Sequence, residues 1–364
     1  MANTFGLVFR LTTFGESHGE AIGAVVDGCP SGVPLTVGVV QRQLDRRRPG
    51  QSALATARDE SDEVRILSGV EGGATTGAPI ALEVRNRDQR PDDYRKFDRI
   101  PRPSHADYTY RIKYGVPIQS GGGRASARET IGRVAGGAVA EALLASRYGV
   151  VIVAWVSRVG QVEAPDLVGR PVTRIEVDQT PVRCPDQRAA ADMIRAIELA
   201  KADGDSVGGV ITCVCRGVPA GWGEPVFDKV GALLGHAMLS LPACKGFEMG
   251  TGFAGAAMRG SINNDRFVRR AGGGIAPATN RAGGALGGIT SGEDVWFRVA
   301  FKPTATIRQA QETVDYEGNP VTLEAGGRHD PCVVSRAVPV VEGMAGLVLA
   351  DLALQAEAHA ARRV

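Results

Sequence analysis

An α/β layered sandwich is what this sequence predicts, on three observations. Short β-rich runs at residues 21–26, 64–70, 79–84, 150–156, 210–214 and 295–301 are set off by clusters of Gly, Pro, Asp and Asn. Segments of helical periodicity fall between them without a strict βαβ alternation. Small residues on those segments, such as Gly136, Gly137 and Ala138, let helices pack closely on sheets or on one another. No internal repeat or linker-like stretch divides the chain, so residues 1–364 are read as one domain.

Helix signals follow in chain order. Thr36 is placed to cap a helix whose apolar residues Val39, Val40 and Leu44 recur at helical spacing, and Pro49-Gly50 ends it after Arg46, Arg47 and Arg48. Ser126 and Glu129 form the pattern of a capping box opening a longer helix, with Ile131, Val134, Ala138 and Leu143 on one face. Further helices are expected over residues 185–202, 228–241 and 339–361. Residues 85–114 stand apart, interleaving seven arginines with acids and with Tyr94, Phe97, Tyr108 and Tyr110; the two readings are a functional loop and a solvated, self-neutralising surface segment.

Composition narrows the function. At 43% hydrophobic and 23% charged residues, the chain has the make-up of a soluble globular protein, neither disordered nor multi-spanning. With 42 basic residues against 40 acidic ones, it is not built to coat nucleic acid or an anionic membrane, so any anion site is local. Only six of those 42 are lysines. Arginine offers a rigid fork that matches phosphate and carboxylate oxygens, so a phosphorylated acid is a natural ligand. The six cysteines form no Cys-x-x-Cys pair, and a reducing cytoplasm is the simplest setting. No secretory leader pattern and no run approaching a membrane span are read from the sequence.

Five segments carry candidate chemistry. His18 lies in Gly15-Glu16-Ser17-His18-Gly19, where glycines let backbone approach a ligand and an imidazole can exchange a proton near neutrality. His105, in Arg102-Pro103-Ser104-His105-Ala106-Asp107, repeats the situation. Gly121-Gly122-Gly123 runs through Arg124 into a capped helix, a setting that favours an anion, though it matches neither the Walker nor the dinucleotide pattern. Gly283-Gly284-Ala285-Leu286-Gly287-Gly288 is a second glycine loop, and Gly327-Arg328-His329-Asp330-Pro331-Cys332 groups Arg, His and Asp before the last helix.

Together these segments resemble the chorismate synthase family. The signatures are the Gly15-Glu16-Ser17-His18-Gly19 loop, Asp45-Arg46-Arg47-Arg48-Pro49-Gly50, Arg102 to Asp107, Arg124-Ala125-Ser126-Ala127-Arg128-Glu129-Thr130, Lys302-Pro303-Thr304 and Gly327 to Cys332, in family order across nearly the whole chain. The resemblance implies a β-α-β sandwich with long central helices between antiparallel sheets. It implies conversion of 5-enolpyruvylshikimate 3-phosphate to chorismate, a 1,4-anti elimination of phosphate and a C6 hydrogen at the last shared step toward aromatic amino acids. It also implies reduced FMN without net redox change, a homotetramer, a cytoplasmic setting, and NADPH or an external flavin reductase as the source of reductant. The Arg-rich stretch then becomes part of a closing lid.

Roles follow from the same resemblance. His105 protonates the departing phosphate or holds its charge, His18 acts as an acid toward the reduced flavin, and Asp330 accepts a proton at flavin N5. Arg47, Arg48, Arg102 and Arg128 are the implied substrate clamp. The FMN site is implied to be lined by Arg124, Ala125, Ser126, Pro242, Ala243, Gly287, Lys302, Pro303, Thr304, Ala305, Thr306 and Arg328. One departure is that Ser52, Ala53 and Leu54 follow the arginine turn where many relatives place another basic residue, with Arg58 the next candidate.

Three other readings compete. The chain could itself reduce bound FMN with NADPH. The arginines could form an RNA-binding surface, against which the balancing acids weigh. Cys213 and Cys215 could join a distant histidine around a metal, although alternating cysteines on a strand more often face a core, and no metal is expected.

Overall fold

The computed structural model describes residues 3–51, 54, 60–87, 99–116, 120–270, 272–324 and 330–361. Two five-stranded antiparallel sheets flank a layer of helices. The first sheet runs in the order Thr4–Phe5, Arg10–Gly15, Ala21–Asp27, Ile80–Arg85, Val64–Ile66. The second runs Cys244–Met249, Val295–Phe301, Gly209–Arg216, Val151–Val159, Val162–Glu163. The helices Thr130–Tyr148 and Val334–Ala360 lie between them and against each other, so the layered sandwich with central helices is what the chain adopts.

Small residues set the spacing of these layers. A Cβ on Gly137 would sit 2.3 Å from the Gly343 Cα, so the two central helices touch backbone to backbone there. Along the same helix Gly136 faces Leu11 of the first sheet, while Ala135, Ala138 and Val139 are buried in the core. The Gly209–Arg216 strand is buried on both faces, Val214 as well as Cys213 and Cys215, with the last helix packed against it.

Several sequence expectations shift. The run at 64–70 splits into Val64–Ile66 and a separate Val70–Glu71 hairpin strand, because Gly69 adopts a φ of +80° and turns the chain. Thr36 occupies the N-cap of Val37–Arg47 but makes no side-chain cap bond. Ser126 does cap, accepting from the Arg128 N–H, yet it opens a short 3₁₀ turn, Ala127–Glu129, and the long helix begins at Thr130. The expected capping box does not close, because the Glu129 carboxylate is taken by Thr13 Oγ1 at 2.8 Å and Arg133 Nε at 2.8 Å.

The last helix departs furthest. It begins at Val334, not at Pro339, and carries that proline inside it. At 27 residues it is also long and apolar enough to cross a membrane by length and composition, contrary to the sequence reading that no run approaches a membrane span. Its most apolar window is 94% buried inside the protein, which makes it a core helix here.

Charged anchors inside the sandwich fix the elements that carry the site. Glu342, fully buried, accepts from Arg46 and from the Ala154 N–H at 2.9 Å and is ion-paired with Arg174 at 3.4 Å, tying the Val37–Arg47 helix to the last helix and the second sheet. Asp351 accepts the N–H groups of Leu7, Val8 and Phe9 at 2.9, 2.6 and 2.9 Å, which holds the entry to the strand leading to His18.

Candidate active site

The His18 loop is the turn between Arg10–Gly15 and Ala21–Asp27, with the Gly19 N–H donating to the Glu16 carbonyl at 3.1 Å. Asn86, immediately after Ile80–Arg85, clasps this loop by donating to the carbonyls of Glu16 at 3.1 Å and Gly19 at 2.7 Å. Arg124 braces its base, donating to the Gly15 carbonyl at 3.0 Å and Thr13 Oγ1 at 2.7 Å. His18 itself is half-buried.

Asn86 also accepts from Arg128, which leads into a buried ionic knot. Arg128 pairs with Glu60 at 2.7 Å and Asp62 at 3.0 Å, and Arg47 pairs with the other oxygen of Asp62 at 2.7 Å. Arg47 further donates to Thr130 Oγ1 at 3.1 Å and the Ala127 carbonyl at 3.3 Å. Both guanidinium groups are 3% exposed. Burial, only partly offset by Asp62 and reinforced by Arg336 and Arg128, pushes Arg47 down to about 10.

The second histidine sits in a tight turn. Ser104 adopts a φ of +57° and the His105 N–H returns to the Arg102 carbonyl at 3.2 Å. The Asp107 carboxylate, with no exposed surface, accepts from Arg102 N, Nε and Nη2 at 3.0, 2.8 and 2.7 Å and faces His105 Nδ1 at 2.9 Å. Burial raises the Asp107 carboxyl, but hydrogen bonds from Arg102 and His105 outweigh it and hold the group well below the usual carboxylate range. The far edge of the ring faces the glycine turn: a Cβ on Gly122, whose φ is +95°, would lie 3.3 Å from His105 Cε1 and 3.7 Å from Nε2.

Lys302 joins this turn to the second sheet. Its Nζ donates to the Ser104 carbonyl at 3.0 Å and its backbone N–H to the Ala243 carbonyl at 2.9 Å, with Ala243 in the left-handed region at a φ of +64° just after Pro242. Burial, then the nearby Lys245, pushes the Lys302 ammonium below the usual lysine range. Beyond Pro303, Thr304 Oγ1 donates to the Asp330 carbonyl at 2.8 Å, and Ala305 and the buried Thr306 continue the same segment. The Asp330 carboxylate pairs with Arg336, whose Nε reaches the Arg47 carbonyl at 3.3 Å.

Described contacts therefore link most of the residues singled out in the sequence: the His18 loop, Arg47, Arg102, His105, Arg124 to Arg128, Ala243, Lys302 to Thr304, and Asp330. Arg48 is half-buried beside this group, its carbonyl accepting from Gln51. Gly287 is at the turn of the Ala285–Leu286 and Ile289–Thr290 hairpin. Arg328 and Arg58 lie outside the described residues, as does the middle of the Arg-rich stretch.

Sequence reasoning missed Asn86, Glu60, Asp62, Asp107 and Arg336. The acids at 59–63 offered a signal, being natural counter-ions for the arginine triplet, and Asp107 stood in the quoted motif without a role. Cys213 and Cys215 are core residues, and no group of three or more His, Cys, Asp or Glu placed to hold a metal occurs among the described residues.

Comparison with known proteins bears on what this arrangement is for. The family model for chorismate synthase matches residues 9–354, spanning every loop just described. The chain belongs to the chorismate synthase family. Chorismate synthase of Opitutus terrae is 56% identical over 351 residues, covering 96% of each chain. That of Synechococcus sp. (strain WH7803) is 55% identical over 351 residues, covering 96% of this chain and 97% of the relative. A crystal structure of chorismate synthase superposes with a TM-score of 0.76 at 31% identity, covering 96% of this chain and 93% of the other.

Proposed function

We propose that this chain converts 5-enolpyruvylshikimate 3-phosphate to chorismate by 1,4-anti elimination of phosphate, as a carbon–oxygen lyase of the shikimate pathway. Family membership carries the reaction. What supports the site is the contact chain from the His105 turn, through Lys302 on the Ser104 carbonyl and Thr304 on the Asp330 carbonyl, to Asp330 and Arg336.

Reduced FMN is the cofactor that belongs with this reaction, and the donor set fits it. Arg124, Ser126, Lys302, Thr304 and Thr306 are cationic or hydroxyl-bearing, suited to a phosphate-bearing and, when reduced, anionic ligand. Lys302, destabilised as a cation by burial and by Lys245, gains from an anion beside it. When bound, the cofactor supplies electron density that eases departure of phosphate.

This chain's residues do the rest. Arg48, with Arg47 and Arg128, orients the carboxylates and phosphate. His105 Nε2 gives a proton to the departing phosphate or holds its charge, and His18 serves as acid toward the cofactor. Asp330, oriented by Arg336, takes the proton released as the C6 hydrogen leaves. The segment around Arg102 to Tyr114 closes over the site and excludes oxygen and water. A cytoplasmic homotetramer supplied with reductant by NADPH or a separate flavin reductase completes the proposal. An anaerobic assay with reduced FMN, following phosphate release and chorismate absorbance, tests it: both should appear together, and absence of phosphate release overturns the assignment.

A further inference from the structure

We propose that Asp107 is the positioning residue for His105, and that Arg102 serves this pair as counter-charge to the carboxylate; the role given to His105 rests on the functional reading above. Asp107 has no exposed surface and its two oxygens divide the work. Oδ1 faces His105 Nδ1 at 2.9 Å and accepts Arg102 Nη2 at 2.7 Å, while Oδ2 accepts Arg102 Nε at 2.8 Å and the Arg102 backbone N–H at 3.0 Å.

An ionised carboxylate only accepts hydrogen bonds, so the proton between the two groups sits on Nδ1. That fixes the tautomer. The nitrogen that gains and loses a proton is then Nε2, on the edge of the ring facing Gly122 and the turn into the arginine-bearing helix.

Charge compensation explains the presence of Arg102. A lone buried aspartate beside the imidazole would hold the imidazolium so firmly that it became a poor acid. With the Arg102 fork on the same carboxylate, the buried Arg102–Asp107 pair is neutral, and Asp107 still holds the ring through Nδ1. The other ionisable groups near Asp107 are Tyr316, pushed up by burial and then by Asp107, and Arg111, whose guanidinium lies 4.2 Å from the Tyr316 ring centre. Lys302 approaches through the Ser104 carbonyl. In the proton-transfer step the Nε2–H bond breaks with its electron pair left on nitrogen, an O–H bond forms on the departing phosphate, Nδ1–H stays in place, and solvent reloads Nε2. Asp107 is never protonated.

Two measurements decide this. In ¹⁵N-labelled wild-type protein, with the His105 signal identified among five histidines by its loss in His105→Ala, the neutral ring should carry its proton on Nδ1. A ring protonated on Nε2 overturns the proposal without any Asp107 variant having to fold. In steady-state assays Asp107→Asn should lower kcat by roughly ten- to a thousandfold with KM within about threefold, and should cost nothing further in a His105→Ala background. Multiplicative losses in the double variant overturn it, because Asp107 would then act apart from His105. If wild-type protein forms no chorismate, the functional reading falls instead, and the tautomer measurement still judges the pair.

Discussion

Arg183 donates through Nη1 to the carbonyl of Ser335, the acceptor that Pro339 leaves without a helical partner. Proline has no N–H, so a helix running through it loses the bond to the carbonyl four residues earlier. Here a guanidinium from another element replaces that donor and lets the last helix begin at Val334. Arg183 reaches this place from a backbone φ of +60°, with Asp178 on its Nε at 3.0 Å and Gln51 on its Nη2 at 2.8 Å.

Arg183→Ala should therefore destabilise the protein by about 2–4 kcal/mol, the cost of leaving several partly buried partners unmet. Its effect should extend to the site, since Gln51 also donates to the carbonyls of Arg46 and Arg48. Arg183→Gly relieves the positive φ but not the lost bonds, so it should recover no more than about 1–2 kcal/mol. Urea denaturation of the three proteins checks this. Equal stability of Arg183→Ala and wild type would show that water satisfies Ser335 as well.

The same contact marks where sequence reasoning stops. Loops such as 15–19 and 102–107 are legible because their chemistry is contiguous, and the sheets because alternation is local. Pro339 was read by its local rule as a helix start, whereas its remedy is Arg183, which lies 152 residues from the Ser335 carbonyl it serves. Ser126 and Glu129 have the spacing of a capping box, but Thr13 and Arg133 compete for the carboxylate from other turns and elements. Likewise the acids at 59–63 are natural counter-ions for the arginine triplet, but nothing local in the sequence places Asp62 between Arg47 and Arg128.

The two histidines give the most direct test of the chemistry. His105→Ala and His18→Ala should each lower turnover by roughly a hundredfold to ten-thousandfold, the usual worth of a positioned acid, while FMN still binds by titration. His18 is held through backbone carbonyls of its loop by Asn86 and Arg124, so its replacement should leave the loop in place. A variant that turns over like the parent with reduced FMN in excess removes that residue from proton transfer.

Acid stability tests the state of Asp107. Its carboxyl is depressed on folding, so the folded protein binds fewer protons there than the unfolded chain. The stability it contributes is complete above the unfolded carboxyl range, about 4, and is lost as pH falls below that toward the folded value. Wild type should lose stability between about pH 5 and 3 more steeply than Asp107→Asn, by on the order of 1 kcal/mol, in paired thermal or urea melts. Parallel curves would mean that Asp107 gains nothing from Arg102 and His105.

Asp330→Asn bears on the last proton. Asparagine keeps the shape of the side chain and, through its own oxygen, a hydrogen bond from Arg336, but it cannot take a proton near neutrality. The Asp330 carbonyl, which accepts from Thr304, is untouched, so the segment from Lys302 to Thr306 keeps its anchor. Elimination should slow by roughly a hundredfold or more, while the complex with oxidised FMN and substrate still forms, visible as a change in flavin absorbance. Arg336→Met separates orientation from proton acceptance: it leaves the carboxylate in place without the guanidinium that orients it, so it should slow elimination less than Asp330→Asn does. Full activity in Asp330→Asn with an unchanged pH profile would move the acceptor to water or to a phosphate oxygen of the substrate, and Arg336 would then be holding the turn before the last helix and no more.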